Sequence, residues 1–217
     1  MTHDYAHVRE LMVEQQVRPW DVLEPRVIDV LLDMPREVFV PVEYRGVAYA
    51  DIALPLGHGE SMLKPVIAGR ALEALNPQDT DDVLEIGTGS GYVTACLAKL
   101  ARDVVSLERH ADLADAARAR IESLGITNAR IEVADGLAWT SERRFDAICV
   151  NAAVDAIPER LVQLLKPGGR LFIVRGRAPA MEAVRVRNDA GGPHVDSLFE
   201  TDLPYLAGAA PVPAFHL

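Results

Sequence analysis

An α/β fold built on a mostly parallel, seven-stranded sheet with helices on both faces is predicted by three observations. From residue 82 onward, short apolar runs alternate with helix-spaced segments, the pattern of strands joined by helical crossovers. The first of those runs ends in a glycine-rich turn, Glu85-Ile86-Gly87-Thr88-Gly89-Ser90-Gly91, that leads into a helix. The last two runs are separated only by the turn from Asn188 to Pro193, so one edge of the sheet is expected to be an antiparallel hairpin.

The chain has 217 residues, 49% of them hydrophobic, which suits one α/β domain with an elaboration. Residues 1–78 differ in character from residues 79–217, and the expected division is a helical N-terminal extension with a loop, packed on a core. His7 to Val17 carries Val8, Leu11, Met12 and Gln15 at helical spacing. Pro25 is placed to open a second helix through Val27, Ile28, Val30, Leu31 and Leu32. A segment rich in proline, glycine and aromatics follows, from Pro35 to Gly59. A third helix runs from Pro65 to about Leu75 and is stopped by Asn76-Pro77.

In the core, strands are expected at 82–86, 103–107, 129–133, 145–150 and 169–175, with helices at 91–100, 111–124 and 158–166. Leu165 to Arg170, with Pro167, Gly168 and Gly169, reads as a helix stop and turn. Glu182–Arg187 and Val195–Leu203 complete the seven strands. The apolar tail from Leu203 to Phe215 is suited to dock on the sheet edge or on a second subunit.

Charge and composition exclude several functions. A net charge of −10 opposes a grip on nucleic acid, and the basic group of Arg175, Arg177, Arg185 and Arg187 is small. No apolar stretch has the length of a membrane span, and the polar start Met1 to Tyr5 is no signal peptide. Cys96 and Cys149 sit in apolar contexts and read as reduced core residues. These features together predict a cytoplasmic protein with no membrane partner. The six histidines (His3, His7, His58, His110, His194, His216) show no ligand spacing, so no metal site is expected.

The glycine turn narrows the cofactor. Glycines let the backbone turn sharply and approach a ligand closely, and the helix start offers unpaired N–H groups. A dinucleotide fingerprint would put its third glycine where Tyr92 stands. Here the spacing is G-x-G-x-G, preceded by Glu85. A carboxylate there repels a pyrophosphate but accepts a methionyl ammonium. The run Val104–Leu107 ends in Glu108, about 20 residues after the turn, where a ribose-binding acid is expected. The next strand ends in Asp135-Gly136, where an acid can accept from an adenine amino group. Three acids at three successive strand ends predict S-adenosylmethionine. The turn resembles motif I of the Rossmann-like class I methyltransferases, and the alternation of strands and helices suits that architecture.

Over nearly its whole length the chain also resembles the protein-L-isoaspartate O-methyltransferases. Met12 to Val17 resembles the family's opening helix, and Met34-Pro35-Arg36-Glu37-Val38-Phe39-Val40-Pro41 its second segment. Ala48 to Asp51 and Leu54 to Gly59 look like the entry to its substrate loop. Leu84 to Tyr92 is similar to its motif I, and Glu108-Arg109, Asp135-Gly136 and Leu165 to Arg170 continue the match. The resemblance implies methyl transfer to an isoaspartyl protein or peptide in protein repair. It implies cofactor contacts from Glu85, Gly87, Thr88, Gly89, Ser90, Gly91, Glu108, Arg109, Asp135 and Gly136, and a substrate pocket shaped by His58, Gly59, Glu60 and Asn151.

Departures fall where acceptor chemistry is expected. The family follows its loop with Q-T-I-S-Q-P; here Glu60-Ser61-Met62-Leu63-Lys64-Pro65 stands. The family's active-site serine becomes Leu63, and its threonine becomes Ser61. Asn151 replaces a residue that is usually small. Two readings of Glu60 stand: repulsion of an acceptor carboxylate that Lys64 offsets, or a simple pair with Lys64. Three functions follow: isoaspartyl methylation, methylation of another carboxylate acceptor or metabolite, or a non-catalytic cofactor-binding role.

Overall fold

The computed structural model describes residues 4–212. His3, His216 and the tail beyond residue 212 lie outside the described residues. The elements are α1 (Tyr5–Met12), α2 (Pro25–Asp33), β1 (Leu54–Gly57), β2 (Glu60–Met62), α3 (Pro65–Leu75), β3 (Asp82–Ile86), α4 (Tyr92–Leu100), β4 (Asp103–Glu108), α5 (Ala111–Ser123), β5 (Ala129–Val133), β6 (Phe145–Val154), α6 (Glu159–Gln163), β7 (Leu165–Arg177), β8 (Ala180–Asp189) and β9 (Gly192–Thr201). The large sheet has the order β5-β4-β3-β6-β7-β8-β9. Its first five strands pair in parallel and the last two add antiparallel, as expected.

Strict alternation along the central strands divides the core between the two faces. Val83, Val104, Ala147, Cys149, Phe172 and Val174 join the cluster formed with α1, α2, α3 and α4. Leu84, Val105, Ile148, Leu171 and Ile173 turn to the opposite cluster, with Leu161 of α6. The N-terminal helices therefore add to one continuous apolar layer: Met12, Val13, Val17, Val27 and Leu31 are all buried there.

Several boundaries differ from expectation for local reasons. The first helix starts at Tyr5, where Asp4 accepts from the His7 N–H, and it widens into a π turn over Val13–Val17. A small antiparallel hairpin, β1–β2, stands outside the large sheet, its first strand inside the proline- and glycine-rich segment and its second just beyond Gly59. Helix α4 begins at Tyr92 because Gly91 is left-handed (φ +88°). Helix α6 is shorter than predicted, since residues from Leu165 already belong to β7. The terminal hairpin is longer, its strands meeting across Ala190-Gly191.

Strand β6 runs four residues past its expected end. Its register with β7 jumps from Cys149↔Phe172 to Ala153↔Val174, so four residues of β6 face two of β7. The tail then satisfies the exposed backbone: Ala153 N–H donates to Pro204 O at 2.8 Å, Leu206 N–H to Ala153 O at 2.7 Å, and Asp155 N–H to Ala209 O at 2.9 Å. The described part of the tail thus docks on the distorted end of β6, a central strand, rather than along an edge strand.

Candidate cofactor and acceptor cleft

The parallel strands end together along one edge, and the glycine turn forms its centre. Gly87, Gly89 and Gly91 have φ of +91°, +53° and +88°, conformations that side chains with a Cβ rarely adopt. The turn is tied to its neighbour strand: the Gly87 and Thr88 N–H groups both donate to Leu107 O, at 2.9 and 3.2 Å. The Thr88 and Ser106 hydroxyls lie 2.5 Å apart. Gly91 packs where a Cβ would come within 3.1 Å of Ala117 Cβ on α5.

A cleft open to solvent lies beside this turn. One wall carries Gly87, Thr88, Gly89, Ser90, Glu108, Arg109, Asp135 and Gly136. The other carries Glu60, Ser61, Met62 and Leu63 of the β1–β2 hairpin and its exit. Asn151 lies between the walls. Thus twelve of the expected site residues are brought together, Ser61 and Leu63 of the acceptor-loop departure among them.

Both downstream acids are positioned by backbone donors. Glu108 accepts from Gly89 N–H at 2.8 Å and from His110 N–H at 3.0 Å. Asp135 accepts from Leu137 N–H at 2.8 Å through one oxygen. Gly136 has to be glycine for space, because a Cβ there would stand 2.3 Å from Ile86 Cγ2.

Four expected residues stand away from the cleft wall. Glu85 is fully buried behind it and accepts from Thr94 (2.5 Å), Ser106 (2.6 Å) and Asn151 (2.8 Å). Burial pushes its carboxyl up to about 7, against the pull of those three donors. Gly91 acts from beneath, through the turn and the α5 contact. His58 and Gly59 form the hairpin tip. His58 Nε2 lies 2.8 Å from Asp112, and its ring stacks on His110 at 4.1 Å. Glu60 faces His110 at 3.7 Å rather than Lys64, so neither expected reading of its charge describes the pairing found.

Two further wall contributions come from residues outside the expected site set. Arg36 is fully buried, donates to Ala48 O (2.7 Å) and Leu63 O (2.6 Å), and lies over the Tyr92 ring. Tyr205, Leu206 and Ala207 reach the cleft because the tail docks on β6. Asp51 accepts from the Val66 N–H in the first turn of α3 at 3.3 Å. Among the described residues no cluster of histidine, cysteine or acidic groups could hold a metal, and no helix is long and apolar enough to cross a membrane.

Comparison with known proteins gives the family. The model for protein-L-isoaspartate(D-aspartate) O-methyltransferase matches residues 7–197. The chain belongs to that family. A protein-L-isoaspartate O-methyltransferase of Methylorubrum extorquens is 44% identical over 174 residues, covering 80% of this chain and 76% of the relative. One from Petrotoga mobilis is 41% identical over 175 residues, covering 80% and 82%. The crystal structure of a Plasmodium falciparum protein-L-isoaspartate O-methyltransferase with S-adenosyl-L-homocysteine superposes with a TM-score of 0.79, covering 94% of this chain and 98% of that one, at 23% identity. That last likeness concerns the fold alone. The family model ends at residue 197, so the cleft residues Tyr205 to Ala207 lie beyond the match.

Proposed function

We propose that this member of the isoaspartyl methyltransferase family transfers a methyl group from S-adenosylmethionine to a carboxylate of an isoaspartyl residue in damaged protein. The observation that carries the reading is the pair of walls facing one cleft: a glycine turn flanked by Glu108 and Asp135, opposite the hairpin with Ser61 and Leu63. The first wall suits the cofactor. Its backbone is bare at Gly87 and Gly89, and Glu108 and Asp135 offer acceptors for hydroxyl and amino groups. When bound, the cofactor supplies an electrophilic methyl group on a sulfonium.

What remains for the protein is alignment. A carboxylate is already an anion at neutral pH, so no residue has to remove its proton. Met62, Leu63 and Val93 give the cleft apolar surfaces, which favour a close approach of the reacting groups. Ser61 offers a hydroxyl to orient the acceptor. Glu60 is drawn aside by His110, which reduces its repulsion of an incoming anion. With Leu63 in the serine position, the acceptor loses a hydroxyl contact but no proton-transfer group.

Labelled S-adenosylmethionine with an isoaspartyl peptide, and its aspartyl isomer as control, tests the reading. Selective labelling of the isoaspartyl peptide is the expected result. Equal labelling of both, or none from protein that binds the cofactor, would move the activity to another acceptor.

A further inference from the structure

Strands β3 and β6 are neighbours in the sheet, although β4 and β5 separate them in the chain. Between them the strand order reverses, and ligands of open α/β sheets bind in the crevice that forms there. Asn151 fills the head of this crevice, on the stretch where β6 loses register with β7.

Its amide orientation is set by its partners. Nδ2 donates to Glu85 Oε1 at 2.8 Å and to Gly87 O at 2.9 Å. The reverse orientation would set an oxygen against two oxygens. Oδ1 receives only the weak thiol donor of Cys149, at 3.3 Å, and keeps accepting capacity toward the cleft. Glu85 has no exposed surface and does not line the cleft. Asn151 is the one of its three hydrogen-bond donors that does, since Thr94 and Ser106 are buried behind the turn.

We propose that Asn151 is a positioning residue for the methionyl end of S-adenosylmethionine: it fixes Glu85 and the Gly87 carbonyl, and turns its own Oδ1 toward the cofactor's ammonium group. The assignment rests on the cofactor reading above. It places Asn151 on the cofactor side of the cleft, whereas the family resemblance suggested the acceptor side.

A protonation linkage follows. The groups facing Glu85 are Thr94 of α4, Ser106 of β4 and Asn151 of β6, with Cys96, Cys149 and Glu108 nearby. Burial and Glu108 favour the neutral acid, and the three donors favour the anion. An ammonium in the crevice adds to the donors' side. Cofactor affinity therefore rises with pH as Glu85 ionises, and loss of the Asn151 donor moves that rise to higher pH.

The experiment compares binding of S-adenosylhomocysteine and of its analogue lacking the amino group, by calorimetry across neutral pH, to the full chain and to Asn151→Ala. For the unmodified chain, S-adenosylhomocysteine binds more tightly as pH rises and the deamino analogue shows no such rise. Asn151→Ala weakens S-adenosylhomocysteine roughly tenfold, shifts the inflection upward and narrows the difference between the two ligands. Acceptor KM at saturating cofactor stays unchanged. Identical pH profiles for both ligands on the unmodified chain would overturn the proposal, even if the variant failed to fold. So would an acceptor KM that rises while cofactor affinity holds. Failure of the unmodified chain to bind S-adenosylhomocysteine would instead remove the cofactor reading itself.

Discussion

Glu108 is bonded back onto the glycine turn: the Gly89 N–H donates to one carboxylate oxygen at 2.8 Å, and the His110 N–H to the other at 3.0 Å. Each oxygen keeps a second accepting site toward the cleft, which suits a pair of neighbouring hydroxyls. On the proposed cofactor reading, removing the carboxylate costs both bonds to the ligand and the order of the turn. At about 1.5–3 kcal/mol per charge-assisted bond, Glu108→Ala is expected to weaken S-adenosylmethionine by about 100-fold or more. Calorimetric titration measures it, and affinity kept within a few fold of the unmodified chain would refute the assignment.

The central sheet was readable because its strands are bounded by strong local signals. Apolar runs such as Val104–Leu107 end in polar or glycine-rich positions, and the glycine turn announces one wall of the cleft. Less legible were features made by pairing over long distances. Nothing around Asn151 signals that β6 continues beyond Val150, because the irregularity depends on its register with β7 and on the tail that satisfies Ala153. Glu85 reads as a ligand-facing acid from its place beside the glycines. Strand alternation turns it instead toward Thr94 and Ser106, on the α4 side of the sheet. Arg36 lies in a segment that resembles the family but carries no signal of burial, and it becomes a buried wall residue only when the turn at Ala48 and the exit of β2 close over it.

Leu63 stands where the family carries serine, with its side chain nearly buried against the cleft. Leu63→Ser restores a hydroxyl and removes an apolar contact. The acceptor gain is about 10- to 100-fold in kcat/KM if the hydroxyl bonds the carboxylate. The stability loss is about 2–4 kcal/mol, typical of truncating a buried leucine. Isoaspartyl kinetics and urea unfolding on the same preparation separate the two effects. Lower stability with no gain in kcat/KM would show that position 63 no longer contacts the acceptor.

Arg36 is a buried cation with no carboxylate within ion-pairing distance among the described residues; its Nη1 also lacks a hydrogen-bond partner. Burial pushes its guanidinium below the ordinary value, with the Tyr92 ring and two carbonyls as its compensation. Arg36→Met keeps much of the volume but leaves Ala48 O and Leu63 O without donors in a buried setting. A loss of about 2–4 kcal/mol is expected from those two groups, seen as a lower urea midpoint with an unchanged slope. A change within about 0.5 kcal/mol, the ordinary range of surface substitutions, would mean that water takes over both carbonyls.

Two acids give the stability opposite dependences on pH. Glu85, raised to about 7 by burial, holds its proton in the folded chain over a range where the unfolded chain has lost it. The folded state then binds more protons, so this group lowers stability as pH rises from about 4.5 to about 7. At Asp82 burial opposes the charged form, but bonds to Arg102 and Lys166 and the nearby Arg143 outweigh it and hold the carboxyl at about 2. Its contribution is complete above 3.8 and is lost as pH falls toward about 2. Unfolding free energies across pH, for the unmodified chain and Glu85→Gln, test the first sign. The decline between about 4.5 and 7 is expected to vanish in the variant; an unchanged decline would place its origin elsewhere.

Gly136 links the Asp135 loop to the sheet by close approach. A Cβ at this position would stand 2.3 Å from Ile86 Cγ2, well inside contact distance, so Gly136→Ala forces either the Asp135 loop or the end of β3 to move. Ile86 is buried on the face opposite Glu85 and cannot yield without disturbing its neighbours. Overpacking of this kind costs about 1–3 kcal/mol, and displacement of Asp135 weakens the cofactor as well. The same substitution at Gly46, where a Cβ would meet nothing within 4 Å, is the control for a mere change of side chain. Shortening the opposing residue, as Gly136→Ala with Ile86→Ala, removes Cγ2 and opens room for the new methyl group. The paired variant is expected to recover cofactor affinity toward that of Ile86→Ala alone. Equal impairment with and without Ile86→Ala would show that Gly136 is required for its backbone rather than for space.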